Sequence, residues 1–465
     1  MKNWNVRKAV VPRHEMPEEH RLTASLGWPH LIALGVGAIV GTGILTLIGV
    51  GAGKAGPGVM LSFAIAGMIC ACAALAYAEV ATMIPASGSA YTYSYVVFGE
   101  LIAWIVGWSL ILEYSLVVSA VAVGWSGYAS PLAGVPFAFA NGPELGGILN
   151  FPAIVIIAVV AGLLIFGTRE SATFNALLVV VKLAALAMFV ALALPAFQPS
   201  HFEPFMPYGF VKSGPSGSEV GVMAASAIIF FAFYGFDAIA TASEEAKNPD
   251  RDLAIGIVGS MILCIIIYLA VAAAAIGALP PAEFAKSPEP LALILRKIGH
   301  PDAARLLALS ASVALPTVIL AFFFGQSRIF LAMARDGLLP RALARISSRG
   351  SPVRITLFTA AIVAVIAGLF PLAEIAALAN AGTLTAFIAV CAAMLTMRRR
   401  QPDAVRRFRT PWAPLIGTLG ILGCLYLLAS LPVKTQTYFI GWNLFGLVVY
   451  WLYAGPRAER ARAAA

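Results

Sequence analysis

The stretch GVGAIVGTGI, residues 35–44, sits inside an apolar run that otherwise has the composition of a membrane-crossing helix. It places four glycines, Gly35, Gly37, Gly41 and Gly43, within nine positions. Each glycine weakens a helix by roughly 1 kcal/mol relative to alanine. A membrane interior offers no water to the backbone groups that an interrupted helix frees. Such a break is tolerated only where protein buries it or where it lines a cavity. A second interruption, FYGFD at 233–237, lies in a later apolar run. These two breaks decide the fold.

Of the 465 residues, 60% are hydrophobic and 11% charged, against roughly 25% charged in soluble proteins. The composition describes an all-α polytopic membrane protein. Runs of about 20 residues, the length a bilayer demands, predict twelve transmembrane helices. They fall near 28–52, 58–83, 100–127, 152–167, 172–196, 220–244, 253–279, 303–333, 354–370, 373–397, 412–431 and 437–454. The fourth is short. Residues 1–22 are polar and mixed in charge, so no cleavable signal peptide is expected there. The net charge of +9 does not point to nucleic acid, because the cations sit in short loops and tails. Lys2, Arg7, Lys8, Arg13 and Arg21 cluster before the first span, and Arg335, Arg341, Arg345, Arg349 and Arg354 follow the eighth. RRRQPDAVRRFR (398–409) follows the tenth, and RAERAR closes the chain. Lys54, Lys212, Lys286, Arg296, Lys297, Arg305 and Lys434 are scattered over the loops between. The positive-inside rule then places both termini in the cytoplasm, and the membrane is expected to be a bacterial cytoplasmic (inner) membrane. The loop 280–302 is the longest outer connection and is expected to hold a short amphipathic helix. The five cysteines all lie in apolar runs and read as core-filling residues, with no metal-ligand spacing.

The breaks lie in spans 1 and 6, five spans apart. An odd separation gives the two units opposite topology, and matched breaks in two inverted halves point to a transporter site. The expected organisation is a tail (1–27), a first repeat of five spans (28–197) and an outer loop (198–219). A second repeat (220–397), a basic loop (398–411), two appended spans (412–455) and a tail (456–465) complete it. The span 1 break creates a helix start near Thr42 and Gly43, whose free N–H groups suit a carboxylate. Carbonyls at Val40 and at Phe233–Tyr234 suit an ammonium. A site with both describes a free α-amino acid. The competing reading is that glycines such as Gly35, Gly37 and Gly67 only let helices pack closely.

Ionisable residues inside apolar runs are costly and need a reason. Lys182 lies about ten residues into span 5, roughly 15 Å deep at 1.5 Å per residue. An amine at that depth either exchanges a proton during transport or holds span 1 carbonyls and a span 8 hydroxyl as a structural group. Glu113, also near a span centre, has three readings: a balance for a cationic substrate, a balance for Lys182, or a bond between helices. Asp237 follows the span 6 break, where a helix cap competes with a role in gating or substrate contact. Glu244, Glu245, Asp250, Arg251 and Asp252 form either an inner gate with Arg328 or Arg335, or a solvated charged face. Trp28 and His30 suit the membrane interface.

LIALGVGAIVGTGI, MIPASGSAYTYSYVVFGE, GWSLILEY, FFAFYGFDAIATASEEAKNPDRDL, GQSRIFLAMARDGLLP and AGTLTAFIAVCAAMLTMRRRQPD followed by FRTPWAPLIG carry a resemblance over about residues 20–455. The chain resembles the amino acid–polyamine–organocation superfamily, and within it the bacterial branch of the cationic amino acid transporter family. The resemblance implies the leucine-transporter fold, a 5+5 inverted repeat with alternating access around a central amino acid site. It implies Gly41, Thr42 and Gly43 as carboxylate ligands, with Phe233, Tyr234 and Phe236 around the ammonium and side chain. It also implies that one of Phe322, Phe323 and Phe324 faces the substrate side chain, a place assigned to Phe323. It further implies that the Lys182 amine takes the place of the sodium ion bound by sodium-coupled relatives, as the proton-linked group.

The function expected is secondary transport of L-amino acids, taken up with protons. The alternative is exchange of amino acids or polyamines without net proton coupling. No enzyme is expected: HExxH, GxSxG and Walker A patterns are absent and the five histidines do not cluster. The reading calls for no cofactor beyond a proton gradient and no metal. Its partners are a small-molecule amino acid and the lipid bilayer. Whether the substrate is cationic or neutral stays open, as does the oligomeric state, with a monomer allowed.

Overall fold

A computed structural model of the chain describes residues 6–8, 26–84, 88–166, 172–215, 219–241, 243, 246–340 and 353–463. All regular structure in the described residues is helical, apart from two isolated bridges. The first apolar run is cut into α1 (Trp28–Ile39), α2 (Thr42–Leu45) and α3 (Leu47–Ala55), followed by α4 (Val59–Met83), α5 (Ser89–Val97) and α6 (Glu100–Ala133). Next come α7 (Phe137–Ala140), α8 (Phe151–Phe166) and α9 (Ala172–Ala193). The second interrupted run gives α10 (Val222–Ile229) and α11 (Asp237–Thr241), then α12 (Pro249–Ala278). The connection after α12 holds α13 (Pro281–Phe284) and α14 (Pro290–Lys297), before α15 (Pro301–Arg335), α16 (Val353–Leu369) and α17 (Leu372–Arg400). The chain ends in α18 (Ala413–Ser430), α19 (Val433–Val449), a π-turn at Tyr450–Ala454 and α20 (Gly455–Ala463).

Eight described helical runs are long and apolar enough to cross a membrane. They match the expected spans 2, 3, 5, 6, 7, 8, 10 and 11. The first of these runs, Leu47–Met83, is bent at Gly56–Gly58, where Gly56 is left-handed at φ 58°. Three expected spans are shorter apolar helices, Trp28–Ile39, Phe151–Phe166 and Val353–Leu369. The first is short because the glycine break ends it. The expected last span is α19 with its π-turn. Helix α5 replaces what the sequence left as a connection.

Helix α6 lies against α15 and α17, and α12 against α1 and α4. Pro316 stands inside α15 and cannot bond the carbonyl of Ser312, four residues earlier. The Trp125 indole of α6 donates to that carbonyl at 2.8 Å. A neighbouring helix thus re-satisfies the backbone group that proline frees, as a low-dielectric interior requires.

The cations sort to two ends. At one end Lys8 Nζ lies 2.7 Å from Asp336, which also accepts from Tyr91 OH, and Arg400 donates to Val97 O. Glu79, 1% exposed, receives Arg398 through two bonds and the Thr410 N–H. At the other end Lys54 donates to Glu219 O, Lys212 donates to Ala429 O and Leu431 O, and Lys434 pairs with Glu374. Helix α14 is there too, with Leu291, Ala292, Ile294 and Leu295 buried. Burial lifts the Glu289 carboxyl above its usual range, and the Arg296 guanidinium opposes the lift.

Candidate functional site

Helix α1 stops at Ile39 because Val40 leaves the helical region at ψ 97° while its N–H still bonds Val36 O at 2.8 Å. The first backbone bond of α2 runs from Leu45 N to Gly41 O at 3.2 Å. The N–H groups of Thr42, Gly43 and Ile44 therefore precede the helix's own ladder. Three carbonyls around the break are taken by side chains. Lys182 Nζ of α9 donates to Gly37 O at 2.9 Å. Tyr268 OH of α12 donates to Ile39 O at 2.8 Å, and Tyr128 OH of α6 to Leu45 O at 2.6 Å.

The second break begins in a 3-10 turn, Phe230–Ala232, and leaves Phe233–Phe236 outside any helix. Gly235 is left-handed at φ 120°, and a Cβ there would lie 3.0 Å from the backbone of Ala38. A Cβ on Gly43 would land on the Cα of Ala232. The two breaks thus touch backbone to backbone, and two glycines make that approach possible. Gly41 is different: a Cβ there would meet only Val318 at 3.6 Å and Leu315 at 3.7 Å, ordinary contacts. A Cβ on Gly35 would meet Ile239 and Ser260, and one on Gly37 would meet Val179.

Asp237 is buried, with Oδ1 accepting from Gly235 N at 3.1 Å and Oδ2 from Tyr114 OH at 2.8 Å. The carboxylate steadies the break and ties it to α6. Its neighbour Glu113 is 1% exposed, and neither carboxylate oxygen has a hydrogen-bond partner among the described residues. Gly382 of α17 lets Glu113 approach, since a Cβ there would be 3.0 Å from Glu113 Cβ. Thr383 lies beside Glu113 and Tyr234, its own hydroxyl donating back to Ala379 O at 3.3 Å. The Tyr234 and Thr42 hydroxyls are buried, with no hydrogen-bond partner among the described residues.

The structure therefore brings together Val40, Gly41, Thr42 and Gly43 with the backbone of Phe233, Tyr234 and Phe236, and Asp237 with Tyr114 next to Glu113. Lys182 sits on Gly37, one turn before the break. The aromatic rings part company. Phe233 packs on Phe63 and Tyr268, and Phe236 on Tyr77 and Phe387. Tyr234 turns towards Phe231 and Phe322. Of the three phenylalanines, Phe322 packs on Tyr234 and Tyr114, Phe323 is buried, and Phe324 is exposed under Arg328. Asp250 pairs with Arg407 at 3.2 Å. Glu244 and Glu245 lie outside the described residues.

Sequence reasoning missed Tyr114, Tyr128, Tyr268 and Asn380. Asn380 of α17 donates to Ala227 O and Ile228 O at the end of α10. A tyrosine or asparagine in an apolar run needs a polar partner. That signal was present, without the address of the partner. Among the described residues no group of three or more side chains could hold a metal ion.

The sequence profile of the amino acid permease family matches residues 26–454. A branched-chain amino acid permease of Bacillus subtilis (strain 168) is 42% identical over 451 residues, 95% of each chain. A methylthioribose transporter of the same organism is 38% identical over 91% of this chain and 92% of its own. A vacuolar cationic amino acid transporter of Arabidopsis thaliana is 36% identical over 85% of this chain and 63% of its own.

Proposed function

The chain belongs to the amino acid permease family and is a multi-pass membrane protein, and on that premise we propose that it takes up L-amino acids by secondary transport coupled to protons. The observation that carries this reading is the backbone contact between the two breaks, Gly43 on Ala232 and Gly235 on Ala38. It gathers the unladdered N–H groups after Gly41 and the irregular backbone of Phe233–Phe236 into one place. There the α-carboxylate is held by Gly41, Thr42 and Gly43, and the ammonium by carbonyls of Val40 and Phe233–Tyr234. Tyr234, with Phe322 and Phe323 of α15, borders the substrate side chain. Glu113 and Asp237 lie within the same layer.

Lys182 is the proton-linked group in this reading. It bonds span 1 at Gly37 O, so its charge state is coupled to the position of the break rather than to the amino acid itself. The twelve-span, inverted-repeat architecture counts α1–α3 as one broken span and α10–α11 as its counterpart, with α8, α16 and α19 crossing as well. Both termini then face the cytoplasm of a bacterial cell.

The relatives set the substrate panel: leucine, isoleucine and valine, then lysine and arginine, then methylthioribose, which lacks the α-amino acid group. Purified protein in liposomes is given each radiolabelled compound with and without an inward proton gradient. Accumulation of an amino acid above its outside concentration only with the gradient supports the reading. Transport of methylthioribose alone, or equal exchange with and without the gradient, contradicts it.

A further inference from the structure

The structure builds part of the basic stretch 398–409 around a buried acid. Glu79 accepts from Arg398 Nε at 2.8 Å and Nη2 at 2.6 Å, and from Thr410 N at 2.8 Å. Arg406 Nε lies 3.3 Å from it. Arg398 also donates to Thr410 O, and Thr410 Oγ1 donates to Leu75 O. The end of α17 is thereby fastened to the chain entering α18, and both are fastened to α4.

What this clamp leaves outside is distinctive. Arg399 and Arg409 flank the joined pair Arg398–Thr410, and both are exposed with no partner among the described residues. Trp412, two residues on, is 79% exposed and left-handed at φ 41°. That backbone region is an outlier for a bulky residue and persists only where surroundings impose it. Trp412 caps α18, an apolar helix of membrane length, so it stands at the membrane edge. Tryptophan favours that level, where one side of its ring is apolar and the other wet. The nearby acids are Asp403, exposed in the loop, and Asp250, which is taken by Arg407.

We propose that the Arg398–Thr410 junction, with Arg399, Arg409 and Trp412 around it, is a docking surface for the phosphate headgroup of an anionic phospholipid. The two guanidiniums supply fork-shaped donors that match phosphate oxygens, and the indole packs on the glycerol and upper acyl chain. The surface does not depend on what the protein transports.

Native mass spectrometry of the purified full-length chain, titrated with phosphatidylglycerol or phosphatidylcholine, tests it. Wild type should bind phosphatidylglycerol at least tenfold more tightly than phosphatidylcholine. Arg399→Gln with Arg409→Gln should remove most of that preference, since two cations at about 1 kcal/mol each near a membrane surface amount to roughly thirtyfold. Lys286→Gln with Arg305→Gln removes the same charge elsewhere and should leave the preference intact. Glu79→Gln raises the net charge but loosens the clamp, so it should weaken phosphatidylglycerol binding. Trp412→Ala keeps every charge and the clamp, and should cost about threefold. The proposal is overturned if the Arg399/Arg409 variant binds like wild type, or if Glu79→Gln binds as tightly or more tightly, which would mean net charge alone. Displacement of the lipid by millimolar inorganic phosphate would also overturn it, since the site would then take free phosphate.

Discussion

Gly43 and Gly41 look alike in the sequence and differ in their surroundings. A side chain on Gly43 has no room, because the Cα of Ala232 occupies its place. Gly43→Val should therefore separate the two breaks and destabilise the protein by about 1–3 kcal/mol or more, the cost of overpacking, seen as a lower unfolding temperature in detergent. Gly41→Ala adds a methyl into ordinary contact distance. It should leave the unfolding temperature unchanged and weaken amino acid binding about tenfold. Equal effects of the two on stability would mean that Gly41 is a packing residue as well. The sequence showed where the chain breaks, but not which glycine serves packing, because that depends on Ala232, almost two hundred residues away. Lys182 was legible for a simpler reason: one amine in an apolar run has few places to go. Lys182→Met should lose the response of uptake to an inward proton gradient while still binding substrate. A normal gradient response in that variant would make the lysine structural.

At the scale of helices, the lengths of apolar runs located the long spans well, since bilayer thickness fixes them directly. The short helices were less visible. Helix α5, rich in serine and tyrosine, has no apolar run to mark it, and α1 ends early because Val40 and Gly41 leave the helix. Repairs between helices were not legible at all. Trp125 and Pro316 illustrate this, because the need arises in α15 and the donor stands in α6. Trp125→Phe should orphan the Ser312 carbonyl and cost about 0.6–1.7 kcal/mol, the range for hydrogen bonds between membrane helices. Pro316→Ala restores an N–H for that carbonyl, so the double variant should recover part of the loss in equilibrium unfolding. Purely additive losses would show that the indole contributes by packing alone.

Across the whole molecule, the sorting of cations between loops was readable from the sequence. The structure gathers Lys8, Arg398, Arg400 and Arg406 at one end and Lys54, Lys212 and Lys434 at the other. Val405, 78% exposed in the basic loop, offers a test of which end faces the cytoplasm. Val405→Cys should resist an impermeant thiol reagent added to intact cells and react after the membrane is opened. Prompt labelling in intact cells would reverse the topology. The tight seating of the loop on Glu79 was not readable, since residue 79 looks like any acid at a span end. The central claim is that two broken helices meet to grip the ends common to all free amino acids. It is tested most directly by competition against radiolabelled leucine uptake in liposomes, comparing leucine with leucinamide, which keeps the ammonium and side chain but loses the carboxylate. The expected result is strong competition by leucine and almost none by the amide; equal competition by both would contradict the account.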